Sequence, residues 1–193
     1  MPIKIHMNSL GCAKNLVNSE QMLQLLRQEG MEITEDLSMA DVAIVNTCGF
    51  IDAAKQEAID TILETAEMKK QGRLKALIAT GCLVERYADE ILKELPELDA
   101  VCGTGSYTDI AEAVKSALEG QKKAYLRSSA EAALEGGRVL LTKPYSAYLR
   151  IAEGCNNHCA YCVIPSLRGP FRSRTMEHIL EEARRLAAEG CKE

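Results

Sequence analysis

Cys155, Cys159 and Cys162 stand in the run EGCNNHCAYC, three thiols at CxxxCxxC spacing. Thiolates this close together can each hold one iron of a single 4Fe-4S cluster. No fourth cysteine follows nearby, so one iron is left open to a small molecule. An open coordination position separates a reactive metal site from a closed structural one. A structural zinc site would pair a CxxC with a second, distant pair, and that pair is missing.

The loop that carries these thiols must be positioned by the elements around it. Residues 147–151 (AYLRI) read as a strand and residues 176–188 as a helix, so the triplet occupies the connection of one βα unit. Upstream, short apolar runs alternate with amphipathic stretches. Strands are expected at 3–8, 31–34, 42–46, 76–80 and 99–102. Helices are expected at 19–28, 52–70, 84–94 and 107–118, with Asp52 as the cap of the second. Such alternation predicts an α/β domain with a parallel five-stranded sheet, helices on both faces and the flavodoxin-like order 2-1-3-4-5. The expected division is an N-terminal domain at 1–120, a linker at 121–143 with a possible short strand near 138–141, and the start of a second domain at 144–193. One βα unit cannot bury its own apolar face, so the chain is expected to be a fragment cut early in a barrel-like second domain.

This sheet gives meaning to a second set of cysteines. Cys12, Cys48 and Cys82 are 36 and 34 residues apart, yet each follows an expected strand. In the order 2-1-3-4-5 those strands are adjacent and the chain reverses direction between the first two, where open α/β sheets bind ligands. Neighbouring strands lie about 4.8 Å apart, so three loops can converge on one further cluster, again with one open iron. Cys102 ends the edge strand, about 14 Å from the first, and reads as a buried thiol.

Composition narrows the setting. The 193 residues are 47% hydrophobic, with a formal net charge of −5 and eight cysteines. No eighteen-residue apolar run and no secretory signal are evident, so a cytoplasmic protein with reduced thiols is expected. The negative balance argues against extensive nucleic-acid binding.

The stretches SLGCAKNLVNSE, NTCGFIDAAKQEAID, TGCLVERY and IAEGCNNHCAYCVIPSLRG resemble the radical S-adenosylmethionine methylthiotransferases. GCAKNLVNSE, CGFIDAAK and IPSLRG resemble the type that modifies a ribosomal protein rather than the type that modifies transfer RNA. The resemblance implies a radical-generating 4Fe-4S cluster on Cys155, Cys159 and Cys162, with S-adenosylmethionine on its open iron and Tyr161 beside the adenine. It implies an auxiliary 4Fe-4S cluster on Cys12, Cys48 and Cys82 that carries the sulfur to be inserted. The implied reaction is methylthiolation of the β-carbon of an aspartate in a small-subunit ribosomal protein, a post-translational modification. The implied partners are that protein or the small subunit, and a reductant such as flavodoxin. The chain alone is then expected to be inactive, because the rest of the family's barrel and its C-terminal domain are missing. The alternatives are a transfer-RNA adenosine methylthiotransferase and, from another class, an iron–sulfur electron-transfer or scaffold module.

Smaller signals carry blander expectations. Arg168, Arg172 and Arg174 read as a solvated basic loop, with an acidic substrate or ribosomal RNA as the sharper reading. Gly103–Gly105 (GTG) reads as a tight turn rather than a phosphate loop. His158 reads as an exposed filler or a hydrogen-bond partner of cluster sulfurs. Lys14, Asn15 and Cys191 receive no chemical role.

Overall fold

Six β-branched or small residues in a row, VAIVNT, form strand β3 (Val42–Thr47), and ALIATG forms β4 (Ala76–Gly81); every residue of both is buried. Strands covered on both faces need continuous apolar runs, because neither face meets water. The structure is a computed structural model that describes residues 2–193. In it β3 and β4 are the centre of a parallel sheet that also contains β1 (Lys4–Ser9), β2 (Glu32–Ile33), β5 (Ala100–Cys102) and β6 (Lys123–Tyr125), in the order β2-β1-β3-β4-β5-β6. Alternate residues face opposite layers. Val42, Ile44, Ala76 and Ile78 pack with Met22, Leu23 and Leu26 of helix α1 (Ala13–Gln28) and Ile110 and Val114 of α4 (Ile110–Leu118). Ala43, Val45, Leu77 and Ala79 pack with Ala58 and Ile62 of α2 (Asp52–Lys70) and Leu83, Val84 and Ile91 of α3 (Cys82–Glu94).

The expected order 2-1-3-4-5 is therefore present, extended by one strand. β6 comes from the stretch read as a linker and pairs in parallel with β5, Ala100 opposite Lys123. Three residues, two of them exposed and one a lysine, give no periodic signal; lysine is an ordinary edge-strand residue. Helix α1 begins at Ala13, six residues before its expected start. Asn15, Asn18 and Ser19 hid its first turns from a pattern search, yet all three are buried. Asp52 is the first residue of α2 and not its cap; Ile51 holds the cap position, and Asp52 pairs with Lys55 at 2.6 Å.

Beyond residue 137 two expected strands, at 138–141 and 147–151, are absent among the described residues. Residues 138–141 are stapled to α1 instead: Val139 N donates to Glu20 O at 3.0 Å, and Leu141 N to Glu20 Oε1 at 2.9 Å. Residues 147–150 have no strand partner among the described residues. The only ladder here is antiparallel, between β7 (Ala152–Glu153) and β8 (Arg172–Ser173). A strand exists through its ladder partners, so an apolar run without a neighbour is not assigned one. Helices α5 (Ile164–Arg168) and α6 (Met176–Ala188) follow. Among the described residues no helix is long and apolar enough to cross a membrane.

Buried ion pairs tie this second segment to α1. Arg138 reaches Glu20 at 3.1 Å and Glu182 at 2.8 Å; Arg138 and Glu20 side chains are 1% and 2% exposed. Arg150 donates to Asn18 Oδ1 at 2.7 Å, Gln21 Oε1 at 2.9 Å and Leu134 O at 2.9 Å. Burial pushes the Glu20 carboxyl above the usual range, against the pull of the Leu141 N–H and Arg138. Removing one member of such a pair leaves the other charge uncompensated. Glu20→Ala is therefore expected to lower the unfolding free energy by about 3–5 kcal/mol in urea titration. A loss below about 1 kcal/mol, the size of an exposed pair, would contradict the burial assigned to it.

Candidate metal centres

Each cysteine of the upstream set is flanked by a glycine: Gly11–Cys12, Cys48–Gly49 and Gly81–Cys82. The three pairs end β1, β3 and β4, which are neighbours in the sheet. The glycines let the loops touch. A β-carbon at Gly11, where φ is +87°, would lie 2.8 Å from Cys48 Cβ and 3.2 Å from its Sγ. One at Gly49 would lie 2.8 Å from Leu83 Cα, in the first turn of α3. Gly81 has φ +98° and abuts the Thr47 backbone and the Asn46 side chain. Side-chain-bearing residues are disfavoured at such φ and barred by such contacts.

The same geometry places thiols at helix starts. Cys12 is the cap residue of α1, and Cys82 is the first residue of α3. Cys12 is exposed, Cys48 half-buried and Cys82 buried. Burial pushes the Cys82 thiol up, nearby Arg168 pulls it down, and Cys12 and Cys48 push it up further. A polar floor supports them. Asn15 Nδ2 donates to Leu10 O at 3.1 Å and Thr47 O at 2.9 Å, while Asn15 Oδ1 accepts from Arg168 Nη2 and, at 3.7 Å, from Cys82 Sγ. Asn46 Nδ2 donates to Asn15 O and Ser19 Oγ, each at 2.8 Å.

Among the described residues no three His, Cys, Asp or Glu side chains are close enough to hold a single metal ion. A four-iron cluster asks for something else: each thiolate binds a different iron, so the sulfurs stand farther apart. Three thiols on three adjacent loops, with a cation and amide groups beneath, fit that demand better than they fit zinc.

The downstream triplet sits in the connection from β7 to α5. Cys155 N donates to Gly169 O at 3.1 Å, Cys162 N to Cys159 O at 3.0 Å, and Asn157 N to Cys155 Sγ at 3.4 Å. Cys159 is exposed, and Cys155 and Cys162 are half-buried. All three stay on one short surface loop. Tyr161 is 89% exposed, and His158 is exposed too. Cys102 is fully buried in the sheet, where loss of solvent raises its thiol pKa strongly, and Cys191 is half-buried.

One reading changes. The arginines do not form a solvated basic loop: Arg168 and Arg174 are 4% and 8% exposed. Arg174 pairs with Glu135 at 2.6 Å and with Glu182, while Arg172 donates to Ala132 O at 2.6 Å and Ser129 O at 2.9 Å. The turn at Gly103–Gly105 faces protein on both sides. Thr104 N donates to Glu85 Oε2 at 2.8 Å, where a phosphate oxygen would have to sit, and Thr104 Oγ1 to Leu167 O at 2.6 Å.

Four residues, none of them expected to do so, join the two sets of cysteines: Lys14, Asn15, Glu153 and Arg168. Glu153, two residues before Cys155, meets Lys14, two residues after Cys12, at 3.0 Å and Arg168 at 3.5 Å. Burial pushes the Glu153 carboxyl up, but Arg168, Lys14 and the Gly154 N–H together hold it below the usual range. The sequence signal was there in Lys14 and Asn15, polar residues beside a GC pair. Nothing in the local sequence points Arg168 inward.

Comparison with known proteins agrees with this two-part geometry. Residues 4–103 match the family described as "Uncharacterized protein family UPF0004", and residues 149–193 match the radical SAM superfamily. The chain belongs to the UPF0004 family, joined to a radical SAM segment. It is 54% identical to the ribosomal protein uS12 methylthiotransferase RimO of Clostridium botulinum, over 98% of this chain and 43% of that protein. It is 53% identical to the protein of that name from Pelotomaculum thermopropionicum, over 100% of this chain and 44% of the relative. For Clostridioides difficile the figures are 50%, 99% and 43%. The chain thus spans less than half the length of these relatives. Membership implies 4Fe-4S and S-adenosylmethionine chemistry.

The glycine contacts yield a graded expectation. Gly11→Ala and Gly81→Ala each combine a disfavoured φ with a steric clash and should cost about 1–3 kcal/mol of stability. Gly30→Ala, with φ +79° but nothing within 4 Å, carries the backbone strain alone and should cost less. Equal losses at all three positions in denaturant titration would contradict the close approach of the loops.

Proposed function

We propose that this protein, at the length of its relatives, methylthiolates the β-carbon of an aspartate in a small-subunit ribosomal protein, with uS12 as the substrate that its relatives' name indicates. The observation that carries this reading is the convergence of Cys12, Cys48 and Cys82 at adjacent strand ends, bridged by Lys14–Glu153 and Asn15–Arg168 to the segment bearing Cys155, Cys159 and Cys162. One cysteine set alone would suit many radical or electron-transfer proteins. Two joined sets suit an enzyme that both activates a C–H bond and inserts sulfur.

The residues have separable tasks. Cys155, Cys159 and Cys162 hold the radical-generating cluster and leave one iron for S-adenosylmethionine. Cys12, Cys48 and Cys82 hold the auxiliary cluster, also with one iron free. When bound, these clusters and S-adenosylmethionine supply radical hydrogen abstraction and sulfur insertion. The Asn157 N–H donates to Cys155 Sγ, and Cys12 and Cys82 stand at the starts of α1 and α3. Tyr161 is exposed and available to stack on the adenine. The functional division is 1–120 for the auxiliary-site domain, 121–143 for the connection and 144–193 for the start of the radical domain. A cytoplasmic location and a flavodoxin-class reductant complete the reading. The relatives' common name favours a ribosomal protein over transfer RNA.

Anaerobic reconstitution followed by iron and acid-labile sulfide analysis tests the cofactor content. About eight irons and eight sulfides per chain are expected, at four of each per cluster. Cys12, Cys48 and Cys82→Ala together should lower both to about four. Zinc without sulfide would overturn the reading. The substrate is tested with a polypeptide of the relatives' length: uS12 should gain the mass of a methylthio group, and the same gain on transfer RNA instead would overturn the choice of substrate.

A further inference from the structure

Arg168 occupies an unusual position for a buried cation. It is 4% exposed, and its carboxylate partner is Glu153, at 3.5 Å. Glu153 also serves Lys14 at 3.0 Å and Arg150 at 3.7 Å, so one negative charge faces three positive ones. The other edge of the Arg168 guanidinium meets no carboxylate. It donates to the neutral Asn15 amide oxygen, which also accepts from Cys82 Sγ. A buried cation left this poorly neutralised is costly unless another anion completes its surroundings. The groups on that side that would carry negative charge as cluster ligands are Cys82, which shares Asn15 Oδ1 with Arg168, and Cys12 and Cys48 on the neighbouring turns.

The backbone fixes this placement. Leu167 is 2% exposed and anchored through its carbonyl to Thr104 Oγ1 at 2.6 Å. Gly169, with φ +72°, turns the chain so that its carbonyl accepts the Cys155 N–H. Arg168 thus belongs in sequence to the triplet-bearing segment, while its side chain belongs to the upstream site.

We propose that Arg168 is a positioning residue of the Cys12, Cys48 and Cys82 site: it supplies the buried positive charge facing their thiolates and holds Asn15 beneath them. This deepens the functional reading above and rests on there being a cluster at those three cysteines. The upstream domain then borrows part of its cofactor environment from the downstream segment.

The test uses the whole chain with Cys155, Cys159 and Cys162 replaced by alanine, so that one cluster remains, reconstituted anaerobically and titrated redox-potentiometrically by electron paramagnetic resonance. Positive charge nearby favours the reduced cluster. Arg168→Gln should therefore shift its reduction equilibrium about tenfold toward the oxidised form, about 59 mV for one electron. Arg168→Lys, which keeps the charge, should restore most of that shift. Glu153→Gln, nearly isosteric, should move the potential the opposite way, and it decides the matter if Arg168→Gln fails to fold or load. Opposite signs would not arise from mere structural damage. Unchanged potentials in iron-loaded variants, or shifts of the same sign, overturn the role of Arg168 alone. A parent chain that retains no iron overturns both this role and the cluster reading beneath it.

Discussion

Everything at the upstream site depends on how closely three strand-to-helix turns can approach. Strands in a parallel sheet are held at a set spacing by their hydrogen bonds. The turns beyond them are not, and ordinary side chains would push them apart. Glycine at positions 11, 49 and 81 removes that obstacle, and in two cases also allows the left-handed backbone that swings the chain from strand into helix. Once the turns touch, Cys12, Cys48 and Cys82 stand on three contiguous turns at one end of the sheet. The apolar strands β3 and β4 make the frame stiff enough for this to matter, since both are buried along their whole length.

Electrostatics does for the two segments what glycine does for the three turns. Helix α1 carries a row of buried polar groups where an amphipathic helix would carry leucine, and Asn15, Asn18, Glu20 and Gln21 each meet an arginine of the later segment. Such pairs add little net stability compared with apolar packing, but they are costly to mismatch. They specify one docking geometry. The result is that Lys14 and Glu153, each two residues from a cysteine of a different set, meet at 3.0 Å. The two sets are thereby linked through short, rigid stretches of backbone.

Much of this was legible in the sequence, for identifiable reasons. VAIVNT and ALIATG could only be buried strands, and the placement of a cysteine just after each followed from them. α2 and α6 were legible from helical periodicity. The sixth strand was not, because three partly exposed residues carry no periodic signal. The start of α1 was hidden because Asn15, Asn18 and Ser19 are poor helix formers retained for their contacts, a conflict between local propensity and tertiary demand. Arg168 was the largest miss. A charged residue in a Gly/Pro-containing loop reads as solvated, and only the folded structure reveals a buried partner 153 positions earlier in the chain.

The most direct measurement is anomalous diffraction at the iron absorption edge from anaerobically grown crystals of the reconstituted protein. The expected map has one compact iron peak bonded to Sγ of Cys12, Cys48 and Cys82, with Arg168 and Asn15 against its inner side, and a second peak at Cys155, Cys159 and Cys162. A map with iron at the triplet but none among the three strand-end cysteines would contradict the convergence on which the account is built.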